Sequence, residues 1–241
     1  MPLVIAVAVC AAITQPAHAQ LDKILQGIGA GNSSVSHSKA ASGLKEALQI
    51  GTDRAVDLTG TTDGFLKNQA IKILMPEKIR TLEKGLRLAG MGPKIDEFEV
   101  SMNRAAEKAA PAARGIFKDA LLQMTFTDAR RILTGPDTAA TDYFKEKTSD
   151  KLTAAFRPAV ESAMAENGVV KQYQRLTGGL AALPTLGRTT NNTFDITTYV
   201  VSKAMDGLFY MLGQEEKKIR TNPAARITPL LKEVFGKRSP N

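Results

Sequence analysis

Apolar residues recur in steps of three and four along most of this chain, a spacing that places them on one face of an α-helix rather than of a strand. Leu44, Leu48, Gly51, Ala55 and Leu58 line up in this way, and Gly60 closes the run. Ile79, Leu82, Leu86 and Ala89 repeat the pattern after Pro76, which suits a first helical turn, and stop at Gly90. A loop from Gly90 to Pro93 leads to Ile95, Phe98, Met102, Ala105 and Ala109, and Pro111 is expected to end or kink that helix. Ile116, Phe117, Ala120, Leu121 and Met124 then resume the stripe. Thr127, Asp137 and Ser149 each stand before a helical run, where a short oxygen-bearing side chain accepts orphan amide bonds, so each is expected as an N-cap. The run after Ser149 carries Leu152, Phe156, Val160, Ala163 and Met164 and stops at Gly168. Residues Thr177 to Thr193 read as a loop. Asp195 then caps a long helix striped by Ile196, Tyr199, Val200, Ala204, Leu208, Met211, Leu212 and Ile219. Asn222 and Pro223 open a final helix holding Leu230, Leu231, Val234 and Phe235. The one departure is Ile71 to Met75, which follows a helical turn from Asp63 and reads as extended, because Pro76 disfavours helical geometry in the residue before it. The expected class is all-α, a single multi-helix globular domain of roughly eight to ten helices with at most one short extended segment near 71–75.

The N-terminal segment belongs to a different category. An apolar run from Leu3 to Ile13, then Pro16 and Ala17-His18-Ala19, is the pattern of a secretory signal peptide over residues 1–19, cut between Ala19 and Gln20. The run is shorter than the about 20 apolar residues a membrane anchor needs. No Lys or Arg precedes it, which is atypical, and a lipoprotein reading through Cys10 is disfavoured because apolar residues continue past that cysteine. The expected location is therefore periplasmic, with no transmembrane span in the mature chain. Residues 20–42 are rich in Gly and Ser and read as a flexible leader, 43–236 as the helical domain, and 237–241 as a disordered tail.

Cleavage at Ala19 removes Cys10, the one cysteine of the chain, and leaves His37, in the leader, as the one histidine. Disulfides, thiol nucleophiles, a Ser-His-Asp triad, zinc and carboxylate-histidine di-iron chemistry are thereby set aside for the folded part. The chain has no phosphate-binding Gly-Lys loop and no dinucleotide fingerprint, so no cofactor is expected.

The formal net charge is +8, and none of it lies in residues 1–19. Residues Ile71 to Lys94 and Gln214 to Asn241 each carry a +4 excess: six basic against two acidic residues in the first, seven against three in the second. A basic surface outside the cytoplasm points to an anionic envelope component or to another envelope protein as partner. Mixed signs within both stretches also suit ordinary solvated helix faces. Nucleic acid is not expected, since there is no Trp and few other aromatics to stack on bases. The sequence does not define an oligomeric state.

Seven residues are candidates for a polar pocket. Asn103 and Glu107 fall four apart on one helical face with Arg104 beside them, an arrangement in which Arg104 would hold an anion and Glu107 act as general base. The competing and favoured reading is a buried network that fixes helix packing. Asp137 and Thr141 flank a helix start whose amides offer an anion site, though a capping Asp137 would itself occupy them. Asp206, between Met205 and Gly207-Leu208-Phe209, is expected to face inward and to need Arg104 or Arg226 as partner. Arg220 stands one turn from Glu216, a spacing that suits a surface pair.

Segments spread along the chain resemble one family. They are GLKEAL from Gly43, DGFLKN from Asp63, DEFEVSMNRAAEKA from Asp96, DARRILTGPDTAATDYF from Asp128, YVVSKAMDGLF from Tyr199, EEKKIRTNPAAR from Glu215 and LLKEVFG from Leu230. In these the chain resembles a bacterial exported family catalogued as domain-of-unknown-function family 4197. The resemblance implies an exported helical protein and supplies no activity, cofactor or catalytic residue. Three roles are left open: a non-enzymatic periplasmic binding or interaction protein; a carboxylate-dependent envelope hydrolase using Glu107 with Asp206 or Glu215; and a helical carrier of a lipid-like ligand.

Overall fold

The computed structural model describes residues 40–166 and 195–221, with the backbone alone for 78–82. The signal peptide, the leader through residue 39 with His37, the loop from Thr177 to Thr193, Arg226, the final helix and the tail lie outside the described residues. What is described is helical, with no strand among the described residues.

Helix α1 covers residues 40–60, so helix already replaces the expected leader at its last residues. After an irregular stretch come α2 (Glu77–Leu86), a π-helical turn (Arg87–Met91) and α3 (Gly92–Ala109). Gly90 sits in the π turn at φ 82°, where a side chain would be strained, so the chain breaks where the sequence places a stop. A 3-10 turn (Ala110–Ala112) holding Pro111 separates α3 from α4 (Ala113–Gln123), and α5 (Phe126–Thr134) follows. The two long helices are α6 (Ala139–Glu166) and α7 (Ile196–Thr221).

Helices α3, α4, α5 and α7 all pack on α6, and α3 also packs on α7. The stripes explain this arrangement. Ile95, Phe98, Met102, Ala105 and Ala109 of α3, Leu152, Phe156, Val160, Ala163 and Met164 of α6, and Val200, Ala204, Leu208 and Leu212 of α7 are all buried in one core. Phe117 on α4 stacks edge-on to Phe144 on α6, with ring centres 5.1 Å apart, and lies 6.2 Å from Phe209 on α7. None of the described helices is long and apolar enough to cross a membrane.

Three caps differ from expectation. Thr125, not Thr127, starts α5: its hydroxyl accepts the Asp128 N–H at 3.1 Å while the Asp128 carboxylate accepts the Thr125 N–H at 3.0 Å. Such reciprocal bonding satisfies two otherwise orphan donors. Ser149 lies inside α6 and returns its hydroxyl to the Lys145 carbonyl at 2.6 Å. Asp137 is exposed and caps nothing among the described contacts, because another carboxylate has taken its place, as shown below. Leu58 is likewise exposed and Thr59 takes the buried position, its hydroxyl donating to the Ala55 carbonyl at 2.7 Å. Asp195 does cap α7, accepting from the Thr197 and Thr198 amides at 2.9 and 3.2 Å.

Candidate functional site

The irregular stretch 61–76 closes turns on its own carbonyls up to Lys72, and α3 supplies partners for amides those turns leave open. Asn103 is fully buried; its carboxamide oxygen accepts the Ile73 N–H at 2.9 Å and its nitrogen donates to the Ile73 carbonyl at 2.8 Å. One turn earlier, Glu99 accepts the Met75 N–H at 3.2 Å. One turn later, buried Glu107 accepts the Phe65 and Leu66 amides at 3.1 and 3.2 Å. Asn103 and Glu99 thus give Ile73 and Met75 the partners a neighbouring strand would give, and Glu107 does the same for the turn at Phe65 and Leu66, since a buried peptide group without a partner costs about 1–3 kcal/mol. Arg104 completes the network by donating to Glu107 and to Asp63, each at 2.6 Å. Asp63 has a left-handed backbone, φ 69°, which an aspartate tolerates better than most residues. Hydrogen bonds from Lys67 and then Arg104 hold its carboxyl below the ordinary aspartate range, while Glu107 and then Asp63 push the Arg104 guanidinium up. The anion that Arg104 holds thus belongs to the protein itself, and both oxygens of Glu107 are in use. This is the packing network that the sequence favours over a general base.

A second buried carboxylate lies on α7. Glu216 on α7 accepts the Ala140 amide at 2.9 Å, and the Thr141 amide and hydroxyl at 2.8 Å each, so it caps α6 from 75 residues away. Arg220 donates to the same carboxylate at 2.8 and 3.0 Å and to the Ile132 carbonyl at 2.9 Å. Expected as a surface pair, Glu216 and Arg220 are both buried. The signal was present: position 216 lies four residues after Leu212 and three before Ile219, within the apolar stripe. Glu215 is buried too, 2.6 Å from Lys218 and 3.8 Å from Arg54.

Asp206 does not face inward. It is exposed, pairs with Lys203 at 3.2 Å and makes no contact with Arg104. Its place is nevertheless informative, because two surface depressions meet there. The first, of about 410 Å³, lies between the start of α6 and α7 and is lined by Asp137, Thr138, Thr141, Lys145, Asp206, Phe209, Tyr210 and Lys217, among others. The second, of about 630 Å³, is lined by the segment 70–77 with Tyr199, Lys203, Asp206, Gly207 and Tyr210. The two share Asp206 and Tyr210 and adjoin along α7 as the two parts of a groove. Its apolar part is Ile71, Leu74, Met75, Pro76, Phe209 and the two tyrosines; Tyr210 and Leu74 are 45% and 43% exposed, and the Tyr199 hydroxyl donates to the Leu74 carbonyl at 2.9 Å.

Its charges are Lys72, Lys145, Lys203 and Lys217 against Glu77, Asp137 and Asp206. Lys203 answers Asp206, and Lys72 stands 3.8 Å from Glu99. Lys145 rides over the Phe209 ring, 5.8 Å from its centre, and neither it nor Lys217 has a carboxylate partner among the described residues. Of the seven sequence candidates, Asp137, Thr141 and Asp206 therefore come together at this groove. Asn103, Arg104 and Glu107 form the separate α3 network, and Arg220 is buried beside Glu216. The lysines, Phe209 and Tyr210 were missed, since only the pairing of α6 with α7 brings them together. Among the described residues no cluster of three or more His, Cys, Asp or Glu is arranged to hold a metal.

Fold and site together define an all-helical protein whose buried charges brace its own backbone and whose open surface is an amphipathic groove. Residues 34–236 match the family described as "protein of unknown function (DUF4197)", and the chain belongs to that family. No curated protein and no solved structure matches the chain.

Proposed function

We propose that this is a non-enzymatic binding protein of the bacterial cell envelope. In this reading it is exported to the periplasm by a signal peptide cut near Ala19, folds as one domain of roughly eight to ten helices with a basic surface, and holds an amphipathic acidic partner in the α7 groove. The observation that carries the reading is the pair Lys145 and Lys217, which line the groove with Phe209 and Tyr210 and have no carboxylate partner among the described residues. Cations beside an apolar, partly dehydrated floor attract an anion more strongly than cations free in water. The floor adds about 25 cal/mol for each Å² of apolar ligand surface it covers. Binding is favoured over catalysis because Glu107, Glu215 and Glu216 already spend their oxygens on backbone amides or cations. A general base needs a free lone pair within reach of substrate.

The test is a fluorescence titration with anilinonaphthalene sulfonate, an aromatic surface carrying one anionic group. Saturable binding is expected, weakened about fivefold or more in Lys145→Ala/Lys217→Ala and further by Tyr210→Ser. Affinity unchanged in both variants would show that the groove is not the site.

A further inference from the structure

We propose that Met211 is an oxidation site built into the contact between α7 and the irregular stretch 61–76, where the Asn68 carboxamide receives the sulfoxide oxygen. The inference rests neither on the proposed function nor on the α7 groove.

The chain has eight methionines, and burial divides those that are described. Met75, Met102, Met124 and Met164 are at most 5% exposed, whereas Met91, Met205 and Met211 are half-buried. Oxidation follows access to the sulfur, so the second group reacts first. Hydrogen bonds then separate its members. Met205 faces the Thr153 hydroxyl at 3.1 Å, but that group has one proton, and the Ser149 carbonyl lies closer to it, at 2.8 Å. Met91 has no hydrogen-bond donor at its sulfur among the described contacts. Met211 has one: its sulfur lies 3.5 Å from the Asn68 side-chain nitrogen, across 143 residues of chain. The Asn68 oxygen accepts the Ala70 N–H at 3.1 Å, which fixes the orientation of the carboxamide and turns its NH2 toward Met211.

A thioether is a weak acceptor, so the amide donor spent on it is poorly used. A hydroperoxide changes that. The sulfur lone pair attacks one peroxide oxygen and the O–O bond breaks. The proton on the transferred oxygen passes to the leaving oxygen, which departs as water when the oxidant is hydrogen peroxide. Sulfur loses two electrons and the peroxide gains them. The product is a polar sulfoxide. In the apolar core around Met102 or Met164 its oxygen would be a buried acceptor among hydrocarbon, which is costly. At Met211 it meets the Asn68 NH2, and the flexible methionine side chain lets the sulfur draw back to admit it. Oxidation there exchanges a weak contact for a strong one and tightens the stretch 61–76 onto α7.

The experiment treats the exported protein, carrying Met91→Leu/Met205→Leu, with hydrogen peroxide. Peptide mass mapping is expected to show Met211 gaining one oxygen about tenfold faster or more than Met102 and Met164. The Asn68 side-chain NH2 proton resonance is expected to move downfield as it does so. Asn68→Asp keeps an oxygen for the Ala70 amide and removes the donor. Oxidation is expected to hold or raise the melting temperature of the protein with Asn68 and to lower that of the Asn68→Asp variant. The inference is overturned by Met211 reacting no faster than the buried methionines, by an unmoved Asn68 NH2 signal, or by oxidation changing the two melting temperatures equally.

Discussion

The Asn103 carboxamide and the Ile73 peptide unit are paired in both directions, N–H to oxygen at 2.9 Å and nitrogen to carbonyl at 2.8 Å, across 30 residues of chain. One side chain thus does for the segment 71–76 what a neighbouring strand does in a sheet. Asn103→Leu removes both partners and leaves two buried backbone groups unsatisfied. We expect it to cost about 2–5 kcal/mol, read as a lower urea midpoint with the far-ultraviolet helical signal of the folded state retained. A midpoint within experimental error of the unaltered protein would mean that the segment does not depend on this pairing.

Glu216 is the anchor of the α6 start and the counter-charge of a buried guanidinium. Glu216→Gln leaves Arg220 buried without a full negative charge, and we expect destabilisation of about 3–5 kcal/mol. Glu216→Gln/Arg220→Met should recover part of that loss, because the uncompensated charge is gone. Thermal melts of the single and double variants decide the point, and a double variant worse than the single would contradict it.

Gly207 on α7 faces the ring of Phe65. A methyl group there would overlap the Phe65 ring edge and crowd the Ile71 side chain. Gly207→Ala is therefore expected to destabilise by about 1–3 kcal/mol despite its better helix propensity. Phe65→Leu in the same background should restore some stability by vacating the edge.

Three aspartates titrate below their ordinary range in the folded protein: Asp63 through Lys67 and Arg104, Asp128 through Thr125, and Asp195 chiefly through Thr198. A carboxyl whose folded value is depressed contributes stability that is fully present above its unfolded value and is lost as pH falls through the folded one. Stability is thus expected to be level above about pH 5 and to decline below about pH 4. Urea midpoints measured across this range provide the check; a midpoint constant to about pH 2 would contradict it.

The sequence is legible where one helix decides the outcome and opaque where two must meet. Ile95, Phe98, Met102, Ala105 and Ala109 proved buried as spaced, and the α3 face of Asn103 and Glu107 could be read as a packing network from the position of Asn103 beside Met102. Asp206 was misread from its sequence neighbours. It lies two residues from both Ala204 and Leu208, which on a helix is the opposite face, so exposure was the outcome its spacing implied. Glu216 carried the reverse signal, a carboxylate inside an apolar stripe, but its partners at Ala140 and Thr141 come from another helix. The same holds for the groove: nothing local relates Lys145 to Lys217 or Leu74 to Tyr199. The 28 unbroken residues of α6 run through Ser149, which reads as a helix start, and through the helix-disfavouring Pro158, so tertiary packing overrides both local signals.

The α7 groove as a binding surface is tested most directly by backbone amide shifts recorded while dodecyl phosphate, kept below its micellar concentration, is added to the exported protein. We predict saturable changes centred on Thr141, Lys145, Phe209, Tyr210 and Lys217, spreading to Leu74 and Tyr199, and lost in Lys145→Ala/Lys217→Ala. Changes centred on the α3 network of Asn103 and Glu107, or an absence of saturable change anywhere, would contradict the account.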